Sequence, residues 1–197
     1  MVKILTVCTG NICRSPFAER YLQTHLDSLA PGRFEVSSAG TQALTGKPMD
    51  RQSAEFLALE GVNADGFGAR QLNETMLAEV DFVLALTVEH RNMVLARSPR
   101  MLKRAFTVRE FARVLEAVQF DADISLPRGG EHEDIAARWK VLPKLAALKR
   151  HLAPAARTGD DDVVDPYRRP PEVYEQMIDE LLPSLRAIVA FEAAAIR

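Results

Sequence analysis

The sequence predicts an α/β protein of three layers, in which helices cover both faces of a central, mostly four-stranded parallel sheet. Short apolar runs alternate with helical patterns through the first 118 residues, which is typical of parallel sheets. The 197 residues are enough for one domain with a good core. A net charge of −2 indicates no general affinity for nucleic acid or acidic membranes.

The first elements follow from local patterns. An apolar run predicts a strand at Lys3–Val7, and helical periodicity predicts a helix at Ser15–Leu29 that ends at Pro31-Gly32. Further strands are predicted at Phe34–Ser38, Gly68–Leu72, Phe82–Leu86 and Arg104–Val108. Further helices are predicted at Asp50–Glu60, Glu74–Glu79, Val88–Arg97 and Arg109–Val118.

The pattern changes beyond residue 118. Residues 120–128 are acidic and irregular, and Gly129-Gly130 interrupts them. We expect one helix at Glu131–Val141 and a second that Pro143 opens and that continues to Leu152. A polar stretch with three successive aspartates follows, and the C-terminal helix begins at about Glu172.

The loop between the first strand and the first helix carries the strongest chemical signal. A helix N-terminus presents free N–H groups and a partial positive charge, so it attracts anions. Gly10 and Asn11 allow the positive φ angles that turn successive amides inward as an anion nest. A thiol beside such a nest, here Cys8, is favoured as the reactive thiolate.

Arg14 is unusual in this loop because a cation in the first helical turn opposes the helix dipole. Its position is explained if a doubly charged anion lies between the guanidinium and the loop amides. The arginine fork binds phosphate in a bidentate manner. The loop therefore predicts a phosphate site beside a reactive cysteine.

The spacing Cys-x5-Arg-Ser is the signature of cysteine phosphatases. Residues 8–16, CTGNICRSP, resemble in particular the low molecular weight protein tyrosine phosphatases, which also carry an Asp-Pro-aromatic motif far downstream, here Asp165-Pro166-Tyr167. The resemblance covers residues 1–118 and 161–197. It implies the expected fold and one phosphatase domain, 1–197, with a helical insertion at about 119–160.

The resemblance also implies the roles of the site residues. Cys8 is the nucleophile that forms a phosphocysteine, and Asp165 is the general acid, although Asp160, Asp161 and Asp162 are rival carboxylates. Ser15 would hydrogen-bond the Cys8 sulfur, and Ser38 would support the loop through Asn11. The phosphate-binding set is Thr9, Gly10, Asn11, Ile12, Cys13, Arg14 and Ser15.

The substrate is expected to be a tyrosine-phosphorylated protein, with Leu44 and Tyr167 as walls of the pocket. Ala43, where many relatives have an aromatic residue, and Arg168 resemble the bacterial subgroup linked to capsule and exopolysaccharide tyrosine kinases. A bacterial tyrosine kinase is therefore a candidate partner. Ile12 favours phosphotyrosine, because related arginine phosphatases carry threonine there, whereas Phe67 replaces a loop-supporting histidine of several relatives.

Two alternatives remain open from the sequence. One is an arsenate reductase of the same fold that uses an external thiol, since no cysteine follows Cys13 to relay a disulfide. The other is a catalytically dead module that binds phosphotyrosine. Turnover of an aryl phosphate and arsenate-dependent thiol oxidation distinguish these possibilities.

Other expectations concern the surroundings of the site. No metal or cofactor is expected, nor any membrane insertion, and two cysteines without a disulfide framework suggest a reducing cytoplasm. Cys13 is expected to protect oxidised Cys8 by forming a disulfide. All four histidines are expected at the surface. An apolar stripe on the insertion suggests a possible homodimer surface, formed by Ile135, Trp139, Leu142, Leu145 and Leu148.

Overall fold

Four parallel strands form the sheet of the part of the chain described by the computed structural model, residues 1–121 and 124–196. They are β1 (Val2–Cys8), β2 (Phe34–Gly40), β3 (Phe82–Ala85) and β4 (Ala105–Thr107). Their spatial order is β2-β1-β3-β4, so the connections leave β1 in opposite directions. The end of β1 is thus a topological switch point, where ligands bind in open parallel sheets.

The helices within the described residues cover both faces of this sheet, which confirms the predicted three-layer α/β/α class. They are α1 (Arg14–Leu29), α2 (Arg51–Leu59), α3 (Glu74–Glu79), α4 (Val88–Arg97), α5 (Val108–Phe120), α6 (His132–Lys149) and α7 (Pro171–Ala195). Short 3₁₀ turns lie at Pro99–Met101 and Arg150–Leu152. In these ranges we find no helix that is both long and apolar enough to span a bilayer.

Two apolar cores lie on opposite faces of the sheet. The larger joins side chains of α1, α5, α6 and α7, including Phe17, Phe111 and Leu185. The smaller joins α3 and α4 to the other face through Leu77 and Val94. Because both faces are covered, β3 and β4 are apolar and buried almost throughout, as expected of a parallel sheet.

Helix α6 of the predicted insertion packs into the larger core. Its Trp139 ring stacks on Phe82 with centroids 5.7 Å apart, and the indole N–H donates to Glu192 at 2.8 Å. Arg138 pairs with the same carboxylate at 2.5 Å, and both side chains are fully buried. Much of the expected apolar stripe is therefore covered by this chain's own core. Residues 122 and 123 of the predicted insertion, and residue 197, lie outside the described residues.

The predicted strand at Gly68–Leu72 is wrong. One parallel bridge, Gly40 to Gln71, is all that pairs this segment with the sheet in the described structure. The neighbouring amides bond elsewhere: the Arg70 amide donates to the Asn11 side chain at 2.7 Å, and the Ala69 amide donates to the Lys47 carbonyl. A strand ladder cannot continue when its amides are already paired.

The prediction of two helices between residues 131 and 152 is also wrong, because α6 continues through Pro143. Proline removes one helical hydrogen bond and usually ends a helix. Here Pro143 is buried together with Leu142 before it and Ala146 after it. Core packing on both sides of the proline therefore outweighs its local preference.

Candidate active site

The phosphate loop, residues 8–15, connects the end of β1 to the start of α1. Asn11 has a left-handed φ of 55°, which reverses the chain within the loop. Four loop carbonyls accept hydrogen bonds from a facing segment, at 2.7–3.0 Å. The carbonyls are those of residues 8, 9, 10 and 12, and the donors are the amides of residues 41, 42, 44 and 50. With the carbonyls held on this side, the loop amides are left for an anion.

Gly40 allows the facing segment to approach the loop. A Cβ at Gly40 would lie 2.4 Å from the Thr9 carbonyl oxygen and 3.0 Å from Ala43. Gly40 is also the strand partner of Cys8 in the β1–β2 register. Any larger residue here would push the loop off the end of the sheet.

Asn11 stabilises the loop through hydrogen bonds at both ends of its side-chain amide. Its Nδ2 donates to Ser15 Oγ at 2.9 Å and to Ser38 Oγ at 2.8 Å, and its Oδ1 accepts from the Arg70 amide at 2.7 Å. Ser15 Oγ lies 3.0 Å from Cys8 Sγ. The structure thus brings Ser15 and Ser38 to the positions that the sequence analysis assigned to them. Ser15 does not cap α1, whose N-cap is Cys13.

Glu19 closes this network and was missed by the sequence analysis. Ser38 Oγ donates to Glu19 Oε2 at 2.5 Å, and Arg70 lies 3.5 Å from the same oxygen. Burial raises the pKa of Glu19 above its ordinary value. The available signal was an acidic residue on a turn of α1 whose neighbours, Phe17 and Ala18, are core residues.

Arg14 is buried at the mouth of α1, with 3% of its surface exposed. Its Nη1 donates to the Val163 carbonyl at 3.1 Å, and its Nη2 lies 2.9 Å from Asp165 Oδ2. Its Nε is buried without a hydrogen-bond partner among the described residues. The guanidinium is therefore fixed in place while it keeps a donor for a ligand.

Asp165 reaches the pocket, whereas the rival carboxylates are bound elsewhere. Its side chain is about half exposed. Backbone pairing of Val163 with Leu86, at 2.9 Å, fixes the segment that carries it. Each rival has another partner: Asp160 accepts from the Arg157 amide, Asp161 pairs with Arg113, and Asp162 accepts from the Val88 amide.

These residues line one pocket of about 210 Å³. Cys8, 2% exposed, lies at its base, and Leu44 and Tyr167, both 38% exposed, lie at its mouth. The guanidinium of Arg168 covers the Tyr167 ring at 5.1 Å. A second cavity, of about 290 Å³, lies between α5, α6 and α7 and shares no residue with this pocket.

Cys13 lies in the loop as a buried thiol. Burial, and then the negative charge of Asp50, raise the pKa of Cys13 to about 12. It is therefore protonated at neutral pH and a weak nucleophile toward an oxidised Cys8. The protective disulfide stays a prediction.

The expectation that His90 lies at the surface is wrong. His90 is 4% exposed. Its Nε2 is 2.9 Å from Thr9 Oγ1, and its Nδ1 is 2.9 Å from Thr87 Oγ1. Burial, together with the Arg14 charge, lowers the pKa of His90 to about 4. The signal in the sequence was Thr87, which caps α4 three residues before His90.

The fold and the loop together define a class: α/β proteins in which an anion-binding loop at the switch point carries a cysteine and an arginine. A family described as low molecular weight phosphotyrosine protein phosphatase matches residues 3–148. The chain belongs to this family.

Individual relatives agree with this assignment. The chain is 42% identical to the low molecular weight protein-tyrosine-phosphatase Etp of Escherichia coli (strain K12) over 98 residues, which is 50% of this chain and 63% of that protein. It is 34% identical to a protein-arginine-phosphatase of Geobacillus stearothermophilus, over 73% of this chain and 90% of that protein. A crystal structure of a low molecular weight protein tyrosine phosphatase from T. tengcongensis superposes with a TM-score of 0.66 at 26% identity, covering 96% and 99% of the two chains.

Proposed function

We propose that the protein hydrolyses phosphotyrosine in proteins through a phosphocysteine intermediate. The observation that carries the proposal is the convergence of Cys8, Arg14 and Asp165 on one pocket. Family membership supports the same reaction class. The roles of nucleophile, phosphate clamp and general acid follow from what each side chain offers at its position.

In the first step, Cys8 Sγ attacks phosphorus in line while the bond from phosphorus to the tyrosine oxygen breaks. Arg14 and the loop amides hold the phosphoryl oxygens, where transition-state charge is spread. Asp165, on the open side of the pocket, delivers a proton to the leaving tyrosine oxygen. A phosphocysteine and a free tyrosine result.

In the second step, water attacks phosphorus and gives its proton to Asp165, and the bond from phosphorus to Cys8 Sγ breaks. The Ser15 hydroxyl, 3.0 Å from the sulfur, stabilises the departing thiolate. Inorganic phosphate leaves, and both catalytic groups return to their starting states. The step needs no oxidant and no metal.

The shape of the pocket supports phosphotyrosine as the substrate. The sulfur lies at the base, with Leu44 and Tyr167 at the mouth, so a phosphoryl group must be carried on a long, flat side chain to reach it. Leu44 and Tyr167 offer apolar and aromatic contacts to the ring. We expect a serine phosphate, whose phosphorus lies closer to its backbone, to reach Cys8 less well.

Turnover of matched substrates tests the proposal. We expect hydrolysis of p-nitrophenyl phosphate and of a phosphotyrosine peptide, with little turnover of a phosphoserine peptide. A phosphoarginine peptide is the necessary comparison, because one relative is a protein-arginine-phosphatase. Turnover of phosphoarginine in preference to phosphotyrosine would overturn the assignment, and arsenate-dependent thiol oxidation without aryl phosphate turnover would indicate the reductase.

We further propose a tyrosine-phosphorylated protein of the cytoplasm as partner, with a bacterial tyrosine kinase as the candidate. Both cysteines are free, which suits a reducing compartment. A trap built from Asp165→Ala should retain the phosphorylated partner. The same bait carrying Cys8→Ser and Arg14→Ala is the control for binding outside the phosphate site.

We also propose that residues 119–160 are an insertion into the phosphatase domain. A homodimer formed through this insertion is a separate proposal. Ile135, Trp139 and Leu142 are buried in this chain's core, so the support comes from apolar side chains that remain exposed on and after α6, namely Val141, Leu148 and Leu152. Solution mass of the wild type and of Leu148→Glu tests it. A monomer at high protein concentration would exclude the dimer.

A further inference from the structure

We propose that His90 is a positioning residue that fixes the Thr9 hydroxyl as a hydrogen-bond donor to the phosphoryl group. The proposal rests on the phosphatase site above and adds one donor to it. Thr9 belongs to the phosphate loop and lines the pocket. His90 lies in the first turn of α4, and its ring is within hydrogen-bond distance of the Thr9 hydroxyl.

The contacts form a short chain of hydrogen bonds. Thr87 Oγ1 accepts from the His90 amide at 3.2 Å and lies 2.9 Å from His90 Nδ1. His90 Nε2 lies 2.9 Å from Thr9 Oγ1. Both ring nitrogens therefore have a partner, and the ring is fixed in position and orientation.

In the proposed arrangement, Thr87 sets the direction of the protons. Its oxygen already accepts the backbone N–H, so its own proton is available to donate to His90 Nδ1. A neutral imidazole then carries its proton on Nε2 and donates it to Thr9 Oγ1. Among the described residues, the Thr9 hydroxyl has no other hydrogen-bond partner. Its proton is left for an acceptor in the pocket.

The position of His90 also explains why it suits the site. A protonated imidazole would place a second positive charge near Arg14. Burial, and then the Arg14 charge, lower the pKa of His90 to about 4, so the ring is neutral at neutral pH. The start of α4 also binds the segment that carries the acid, because the Val88 amide donates to Asp162 at 2.7 Å. The first turn of α4 thus contacts both loops of the site.

Two amide substitutions separate positioning from packing. In His90→Gln, the side-chain Nε2 reaches about as far as the histidine Nε2 and can donate to Thr9. In His90→Asn, the shorter amide reproduces only the Nδ1 end. Thr9→Val removes the hydroxyl with little change of volume, and Thr9→Val/His90→Asn completes a double-mutant cycle. The readouts are orthophosphate affinity by calorimetry, kcat and KM for an aryl phosphate, and the thermal midpoint.

We expect Thr9→Val to weaken orthophosphate binding by about 10-fold or more, the loss of one hydrogen bond to a charged group. His90→Asn should show much of that loss, His90→Gln should recover to within about threefold, and the double variant should lose no more than Thr9→Val alone. Additive losses, or normal orthophosphate binding by His90→Asn with only a lower thermal midpoint, would overturn the proposal. Orthophosphate binding needs no turnover, so this result is independent of the test of the phosphatase reaction.

Discussion

The two loops that meet at the pocket are built in opposite ways. Asn11 and Ser38, which support the phosphate loop, are fully buried and hydrogen-bonded to each other. The acid segment, residues 160–168, is paired at Val163 but carries its Asp165 carboxylate about half exposed. Arg168, just beyond, has a left-handed φ of 59°. The network that supports the first loop is buried, whereas the acid segment is hydrogen-bonded through residues 161–164 and leaves Asp165 half exposed.

The difference matches the work that each loop is proposed to do. A phosphate clamp stabilises charge best when its dipoles are fixed before the substrate arrives, because no free energy is then spent on reorienting them. A general acid must exchange protons with water between the two steps and must let the substrate enter. The closed network at Asn11 and the open position of Asp165 meet these separate demands.

Removing the nucleophile should greatly lower turnover and leave the binding of orthophosphate intact. Cys8→Ser should lower turnover at least about 10⁴-fold, because a hydroxyl is far less ionised than a thiol. The amides and Arg14 remain, so orthophosphate affinity should stay near the wild-type value. Arg14→Lys should lose both properties, since an ammonium cannot reproduce the fork. Normal turnover by Cys8→Ser would refute the mechanism.

The next prediction concerns the general acid in the acid segment. Asp165→Asn should reduce kcat by roughly 10²–10⁴-fold on substrates with poor leaving groups, and far less on activated phenols that leave without a proton. Asp160→Asn is the matched control, because within the described part of the chain Asp160 bonds only to its own turn at Arg157. If Asp160→Asn shows the dependence on leaving group and Asp165→Asn does not, the assignment of the acid is wrong.

Removing a hydrogen bond from the buried network under the phosphate loop should make that loop less rigid. Ser38→Ala removes the buried hydrogen bonds that Ser38 makes with Asn11 Nδ2 and with Glu19 Oε2, at a cost of about 1–3 kcal/mol in the free energy of unfolding. We expect a loss of kcat/KM of about 10-fold that does not depend on the leaving group. Ser28→Ala, on the exposed end of α1, is the control. Chemical denaturation and a leaving-group series measure the two effects, and an unchanged Ser38→Ala would show that the network is dispensable.

The last expected effect concerns pH, and it falls on stability rather than on turnover. The pKa of His90 is about 4 in the folded chain against 6.5 normally, so below pH 6.5 the unfolded chain binds a proton that the folded chain does not. The free energy of unfolding should therefore decrease as pH falls from 6.5 to 4, by up to about 1.4 kcal/mol per pH unit. His90→Gln cannot titrate, and denaturation midpoints across this range should show a flatter dependence. Equal slopes in both proteins would contradict the shifted pKa.

Much of the molecule could be read from local sequence. The alternation of apolar runs and helical patterns determined the layers, and α4 occupies the predicted Val88–Arg97. The phosphate loop was identifiable because its chemistry is compressed into consecutive residues: a strand, a cysteine, a turn and a helix start. The helix N-terminus dictates what such a loop binds, wherever the rest of the chain lies.

Tertiary structure alone decided which distant side chains reach the loop. The Asp-Pro-aromatic motif marked Asp165 in the sequence, but only the structure shows that its carboxylate lines the pocket while the three neighbouring aspartates are paired elsewhere. His90 and Glu19 are polar residues on helices, and burial turns them into loop supports. The strand predicted at Gly68–Leu72 and the helix break predicted at Pro143 were wrong for the same reason. Contacts with residues far along the chain outweigh the local preference. Sequence patterns report which face of an element is apolar, whereas contacts between polar groups depend on how the elements pack.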